Sequence, residues 1–299
     1  MLAMSWLWAV FTVIAAGGQV LRNAAQKELT QTLGTVGATH VRFLFGLPFG
    51  LLFLMLVLIG TGLPFPELNR AMLIWTVIAA LAQIGATALL LAAMRERSFV
   101  VTTAYAKTEP VQVALFGLIF LGDHVTAGLA LAILIATAGV LVVSWPRSNA
   151  DEVFTWQPAI LGIASGAMFA IAAIGFRGGI RALETPSFVV AATVTLALGL
   201  VIQTVVLTTY LAIRDRKVLV EIFRAWRPSL FAGFIGAFAS QMWYLAFALE
   251  TAAKVRTLAL IEILFAQILS RNLFKQNLAS REALGIGLIV LGVIILLNQ

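Results

Sequence analysis

The sequence predicts an all-α integral membrane protein, with ten transmembrane helices arranged as two inverted five-helix repeats. Three observations lead there. The 299 residues are 61% hydrophobic and only 11% charged, with a mean hydropathy of +1.01; a soluble domain of this length needs roughly twice that charged fraction to cover its surface. Apolar runs of bilayer-spanning length recur along the whole chain, broken by short charged or Gly/Pro punctuation. The chain also aligns with itself without a gap at an offset of 153 residues, which places Glu109 on Glu262.

The apolar runs place helices at about 5–25, 35–59, 70–94, 98–121, 125–145, 157–180, 187–212, 228–250, 254–274 and 281–297. Explicit interruptions separate them: Gly60-Thr61-Gly62-Leu63-Pro64, Arg95-Glu96-Arg97, Gly122-Asp123-His124, Pro146-Arg147-Ser148-Asn149, Thr185-Pro186 and Arg281-Glu282. No basic residue precedes the first run, so Ala15-Ala16-Gly17 reads as part of an uncleaved first helix rather than a signal-peptide cleavage site. None of the connections holds a soluble domain. The longest, Arg214 to Pro228, carries Leu219, Ile222, Phe223 and Trp226 at helical spacing against Arg216, Lys217, Glu221, Arg224 and Arg227. That pattern fits a short helix lying in the headgroup region or an ordinary amphipathic connector.

The offset of 153 also places Gly139 on Gly292 and Leu131 on Leu284. The repeats are then 1–147 and 148–299, with five spans each, and an odd number of spans inserts the second repeat upside down relative to the first. Lys and Arg in the connections number thirteen on the face that holds connections 1–2, 3–4, 5–6, 7–8 and 9–10, against five on the other. This bias places both termini outside.

Composition narrows the chemistry. Cysteine is absent, which excludes disulfides, thiol catalysis and cysteine metal sites. The net charge of +7 is assigned to basic loops that hold helices against anionic headgroups, not to nucleic acid. There is no Gly-x-x-x-x-Gly-Lys-[Ser/Thr] phosphate loop, no His-Glu-x-x-His and no Gly-x-Ser-x-Gly, so neither direct ATP coupling nor a hydrolytic enzyme is supported.

The ten spans in two halves carry recognisable local patterns. His40-Val41-Arg42-Phe43 lies in the second span and Glu109-Pro110-Val111 in the fourth, followed by Leu121-Gly122-Asp123 and Gly139-Val140; the segment from Ala283 to Val293 repeats the closing pattern. In these features the whole chain resembles the drug/metabolite transporter superfamily and its EamA-type members. The resemblance implies a secondary carrier, many such carriers being exporters of amino acids, other metabolites or toxic compounds. It also implies both termini in the cytoplasm, against the charge count. One departure stands out: members carry an acidic residue after Leu-Gly in the second half too, where this chain reads Phe274-Lys275-Gln276.

A charge near the bilayer centre costs at least about 2.5 kcal/mol on insertion scales, so each one asks for a reason. Glu109 lies halfway along the fourth span, on a stripe with Thr102, Tyr105 and Gln112. It is read as a site for a substrate amine or a proton, or as a buried ion pair with Lys107 or an arginine of another helix. Pro110 frees a carbonyl near Ala106 for a ligand or a water. Glu262, the mate of Glu109, sits on an otherwise apolar face with Leu258, Phe265 and Leu269. That setting suits a proton-exchanging carboxylate, or a protonated one that donates a single hydrogen bond. Arg42 is a partner for Glu109 or for an anionic substrate, or a snorkelling side chain. His40 either titrates during transport or is a satisfied interface residue. Gln19 and Asn23, spaced i and i+4, line a cavity or bond another helix, and Trp243 and Tyr244 form an aromatic wall or core packing. Gly46/Gly50, Gly162/Gly166 and Gly175/Gly179 allow close helix approach.

The expected protein is thus a secondary transporter of the bacterial inner membrane that exports a small metabolite such as an amino acid. Alternating access, with protons as the coupling ion, is the expected mechanism; a channel, a membrane-embedded enzyme and a lipid-handling protein are the rivals. The expected partners are a small-molecule substrate, the lipid bilayer and protons, without a cofactor, metal or nucleic acid, in a monomer or homodimer.

Overall fold

The computed structural model describes residues 6–96, 106–144, 156–265 and 280–298, which form helices and short turns with no strand among the described residues. In chain order the helices are α1 (Leu7–Leu44), α2 (Leu47–Thr61), α3 (Arg70–Glu96), α4 (Glu109–Phe116), α5 (Ala127–Ser144), α6 (Gln157–Ala182), α7 (Phe188–Arg214), α8 (Arg216–Arg224), α9 (Trp226–Leu249), α10 (Ala252–Leu258) and α11 (Ser280–Leu297). A π-helical turn, Gly117–Leu121, extends α4, and a 3-10 turn, Ala259–Ile261, extends α10.

The first two spans differ from expectation. The first helical run continues past residue 25 to Leu33, because polar Gln26 is buried rather than looped out, its amide donating to the Ala38 carbonyl at 2.9 Å. The break falls at Gly34, whose φ of 67° and ψ of 179° lie in a region open essentially to glycine alone. The second span passes through Phe45 and Gly46, both in helical φ/ψ, into α2, with Pro48 in its first turn, where a missing N–H costs nothing. The connector after α7 is helical over Arg216–Arg224: Val218 and Ile222 pack against Gly37 of α1, while Phe223 and Trp226 stay exposed.

The repeat extends to the helix boundaries. Shifted by 153, α5 (Ala127–Ser144) coincides with α11 (Ser280–Leu297), and the segment 35–61, which contains α2, coincides with α7 (Phe188–Arg214). In the same register α3 corresponds to α9, and the first arm of α1 to α6. The principal helix pairings follow this correspondence: α1 with α9, α3 with α6, and α5 with α11. Each joins one half to the other, and the first two exchange when the halves are exchanged.

Small residues set these contacts. A Cβ on Gly175 would come 2.8 Å from that of Ala79, and one on Gly18 would come 3.0 Å from that of Ala239. At the α5–α11 crossing a Cβ on Gly139 would lie 2.7 Å from the Gly285 carbonyl oxygen and 2.8 Å from the Ile289 nitrogen. Its mate Gly292 makes the reciprocal approach to Ala132 and Ala136, the residues that correspond to Gly285 and Ile289. Close backbone approach maximises dispersion contacts where lipid offers no hydrophobic drive between helices.

The outer surface is apolar: Leu56, Ile59, Leu134 and Ile213 are each more than half exposed, an arrangement unfavourable in water and neutral in hydrocarbon. Among the described residues, five helical stretches are long and apolar enough to cross a membrane, the first being the broken run Leu7–Thr61, and Glu109–Leu121, Ala127–Val143 and Ala283–Leu297 add shorter apolar helices. The parts of the expected fourth and ninth spans at 98–105 and 266–274 lie outside the described residues.

Candidate functional site

The two carboxylates sit at corresponding breaks in helical structure. The chain turns at Lys107–Thr108 and α4 begins at Glu109, with Pro110 in its first turn. Residues 260–261, which correspond to 107–108, belong to the 3-10 turn just ahead of Glu262. Interrupted helices of this kind free backbone groups and turn adjacent side chains into an interior. The Ala106 carbonyl lies close to α6, its oxygen 2.9 Å from where a Cβ on Gly166 would sit, and Ala106 also borders a central cavity.

Glu109 and Glu262 are both buried, and all four of their oxygens have partners. Arg256 grips Glu109 as a fork, Nε donating to Oε1 at 2.5 Å and one terminal nitrogen to Oε2 at 2.7 Å, the geometry in which guanidinium and carboxylate match best. Lys107 Nζ lies 2.5 Å from Glu262 Oε1, and Gln19 Nε2 donates to Glu262 Oε2 at 2.8 Å. The Arg256 guanidinium also stands 4.7 Å over the Trp243 ring, while the indole N–H donates to Gln19 Oε1 at 3.2 Å. One continuous network therefore runs Glu109, Arg256, Trp243, Gln19, Glu262, Lys107. Each ion pair joins a residue of the first half to one of the second.

Other expected site residues fall differently. Arg42 reaches no carboxylate: it donates to the hydroxyls of Thr87 at 3.2 Å and Ser240 at 3.4 Å. It is buried, with no snorkelling path. Asn23 accepts from Arg22 Nε and a terminal nitrogen at 3.3 and 2.7 Å. Gln112 turns away to Thr108 Oγ1, and Tyr105 and Thr102 lie outside the described residues. Tyr244 packs its ring 4.7 Å from that of Phe176 and lines the cavity beside Trp243. The apolar surroundings expected for Glu262 are overturned, because Lys107 and Gln19 reach it from other elements. His40 is fully buried and shares a 3.0 Å hydrogen bond with Thr208.

Three cations were not singled out as site residues. Arg22 and Arg256 entered the loop-charge count, and Lys107 was only a conceivable partner. A signal for Arg22 was present: Gln19, Arg22, Asn23 and Gln26 fall at i, i+3, i+4 and i+7, a polar stripe on one helix face, and all four are buried.

Two narrow cavities flank the network, sharing Gln19, Phe169 and Arg256. One continues past Arg42, Ser240 and Tyr244; the other is bordered by Arg22, Lys107 and Glu262. Towards one end of the bundle a wider recess is lined by Asp123, Arg177, Arg181, Glu250 and Lys254. There Arg177 donates to both Asp123 oxygens at 2.7 and 2.8 Å and to the Glu250 carbonyl at 3.0 Å.

An all-helical bundle with an apolar exterior and a buried polar centre defines a multi-pass membrane protein, and the comparisons specify which. The EamA-like transporter family matches residues 3–145 and again 156–298, so the chain belongs to that family. It is a membrane transporter of the drug/metabolite type; members are transporters, not enzymes, and act on small molecules. A crystal structure of a protein 14% identical in sequence superposes over 98% of this chain and 96% of its own, with a TM-score of 0.72, a likeness of fold. No curated protein matches the chain in sequence.

Proposed function

We propose that the protein is a secondary active carrier that exports a small metabolite across the bacterial inner membrane by alternating access. Its ten spans form two inverted halves, 1–147 and 148–299, which rock about the Glu109–Glu262 centre. The observation that carries this reading is the pair of buried ion pairs, Glu109–Arg256 and Glu262–Lys107, each with one partner in each half. Among the contacts between the halves, these polar, desolvated ones can be exchanged for contacts to a substrate, whereas the close-packed apolar helix seams offer no such alternative. The reciprocal Gly139 and Gly292 contacts supply the pseudo-two-fold about which such motion is symmetric. Neither cavity has room for much beyond water, which fits an occluded conformation that must open to admit substrate.

Protons are the coupling ion in this reading. A proton on Glu262 neutralises it, releases Lys107, and so loosens one of the two central ion pairs that join the halves.

A thermal-shift screen of metabolites against purified protein identifies ligands through their stabilisation of the folded state. Hits are then tested in proteoliposomes. Carrier action predicts saturable flux, acceleration by substrate on the opposite side, and a pH dependence that flattens in Glu262→Gln. Non-saturating flux without trans-acceleration would identify a channel and overturn the proposal.

A further inference from the structure

The central network is not charge-balanced. Four cations, Arg22, Arg42, Lys107 and Arg256, are buried there with only two carboxylates, and Glu109 and Glu262 are the only buried carboxylates among the described residues. Arg256 and Lys107 account for both carboxylates, as described above. Arg22 and Arg42, each 2% exposed, are left with neutral partners: the Asn23 amide oxygen for one and two hydroxyls for the other. One terminal nitrogen of Arg22 is buried with no hydrogen-bond partner among the described residues. A guanidinium cannot shed its proton to escape this cost, as a lysine can.

The two stems run side by side. Both cross the face of α9 at Gly236, where a Cβ would come 3.2 Å from Arg42 Cγ and 3.4 Å from Arg22 Cδ. Two buried like charges placed together, with Glu262, the carboxylate that attracts Arg22, already held by Lys107 and Gln19, are unfavourable on both counts, desolvation and repulsion. Such a pair suits an oxyanion, because one terminal nitrogen of Arg22 has no acceptor among the described residues and the hydroxyls that face Arg42 are weaker acceptors than a charged oxygen. The cavity that Arg42 borders is also lined by Phe169, Phe176, Trp243 and Phe247, which gives an apolar body somewhere to lie.

We propose that the central site takes a net-negative organic substrate, its carboxylate or phosphoryl oxygens held between Arg22 and Arg42 and its apolar part against the aromatic wall. The inference rests on the carrier reading for its meaning in transport, and it replaces a zwitterionic amino acid by an organic anion.

A matched series tests it, with one ring and different charge: phenylacetate, phenyl phosphate, phenylalanine and phenethylamine, each titrated against purified wild-type protein by thermal shift and calorimetry. Phenylacetate or phenyl phosphate should raise the midpoint and bind at least tenfold more tightly than the zwitterion or the cation. The order of the two anions tells carboxylate from phosphoryl recognition. Equal or tighter binding of phenylalanine or phenethylamine, or no binding by either anion, would overturn the proposal. A second measurement compares a variant with and without the anion. If Arg22 carries a surplus charge, Arg22→Gln folds with an unchanged or higher ligand-free midpoint and loses the anion response. If Arg22 is purely structural, the midpoint falls and any anion binding persists. The carrier reading fails separately: anion binding without counterflow in proteoliposomes would leave the site and remove the transport role.

Discussion

The buried centre and the recess at one end of the bundle both contain acids and bases from both halves, yet they are built on opposite terms. At the end, Asp123 is held in place by Gly122, whose φ of 65° closes the turn after the π-helical segment. It receives both contacts from Arg177, and Arg181 adds a 3.7 Å contact while remaining 54% exposed. Lys254 and Glu250 pair at 3.4 Å within reach of water. Charges there either have dedicated partners or are solvated. At the centre the charges are buried, and two of the four cations there, Arg22 and Arg42, are paired with no carboxylate among the described residues. The difference separates a clasp, complete in itself, from a site that awaits another molecule.

The largest effect should follow from breaking the Glu109 fork. Arg256→Ala leaves Glu109 buried and unpaired, which costs about 3–5 kcal/mol, and it also removes the cation over Trp243. Thermal denaturation should show a large drop in midpoint, and transport should be lost. The double variant Glu109→Gln/Arg256→Gln removes both charges and should regain much of the stability without regaining transport. Recovery of transport as well would make the pair a structural tie alone.

How much of this could be read in the chain depended on chemical contrast. Glu109 and Glu262 stood out because a carboxylate in an apolar run has few explanations, and the repeat was legible because they align. Arg22 and Arg256 did not stand out, since each lies near the edge of an apolar run where basic residues ordinarily meet headgroups. Only the register of the helix, continued to Gly34, turns Arg22 inward. A buried ion pair of Glu109 with an arginine of another helix is among the expectations and is what Arg256 provides, but the choice of that arginine and the Lys107–Glu262 pair were not legible: Lys107 and Glu262 are 155 positions apart, and their meeting depends on how α4 and α10 pack.

An intermediate effect tests the symmetry that the centre shares with its surroundings. Gly139→Ala and Gly292→Ala each push a methyl into the facing backbone, which cannot yield as a flexible side chain would. Each should cost about 1–3 kcal/mol, and the two costs should be similar because the contacts are reciprocal. A pair of midpoints from thermal denaturation checks this. A large loss from one substitution and none from the other would mean that the α5–α11 crossing does not lie on the pseudo-two-fold.

The smallest stability change belongs to the clasp. Asp123→Asn keeps the side-chain shape but removes the charge facing Arg177, whose Nε contact to the Glu250 carbonyl remains, so the expected loss is only about 1–2 kcal/mol. Its consequence for access should be larger than its consequence for stability. The chain has no cysteine, so Ala173→Cys places one unique thiol at a buried position on the central cavity wall. If Asp123 and Arg177 hold this end closed, Asp123→Asn should raise the rate at which a water-soluble maleimide labels that thiol several-fold. A labelling rate unchanged by Asp123→Asn would place the barrier to the centre deeper in the bundle, at the α4–α10 breaks themselves.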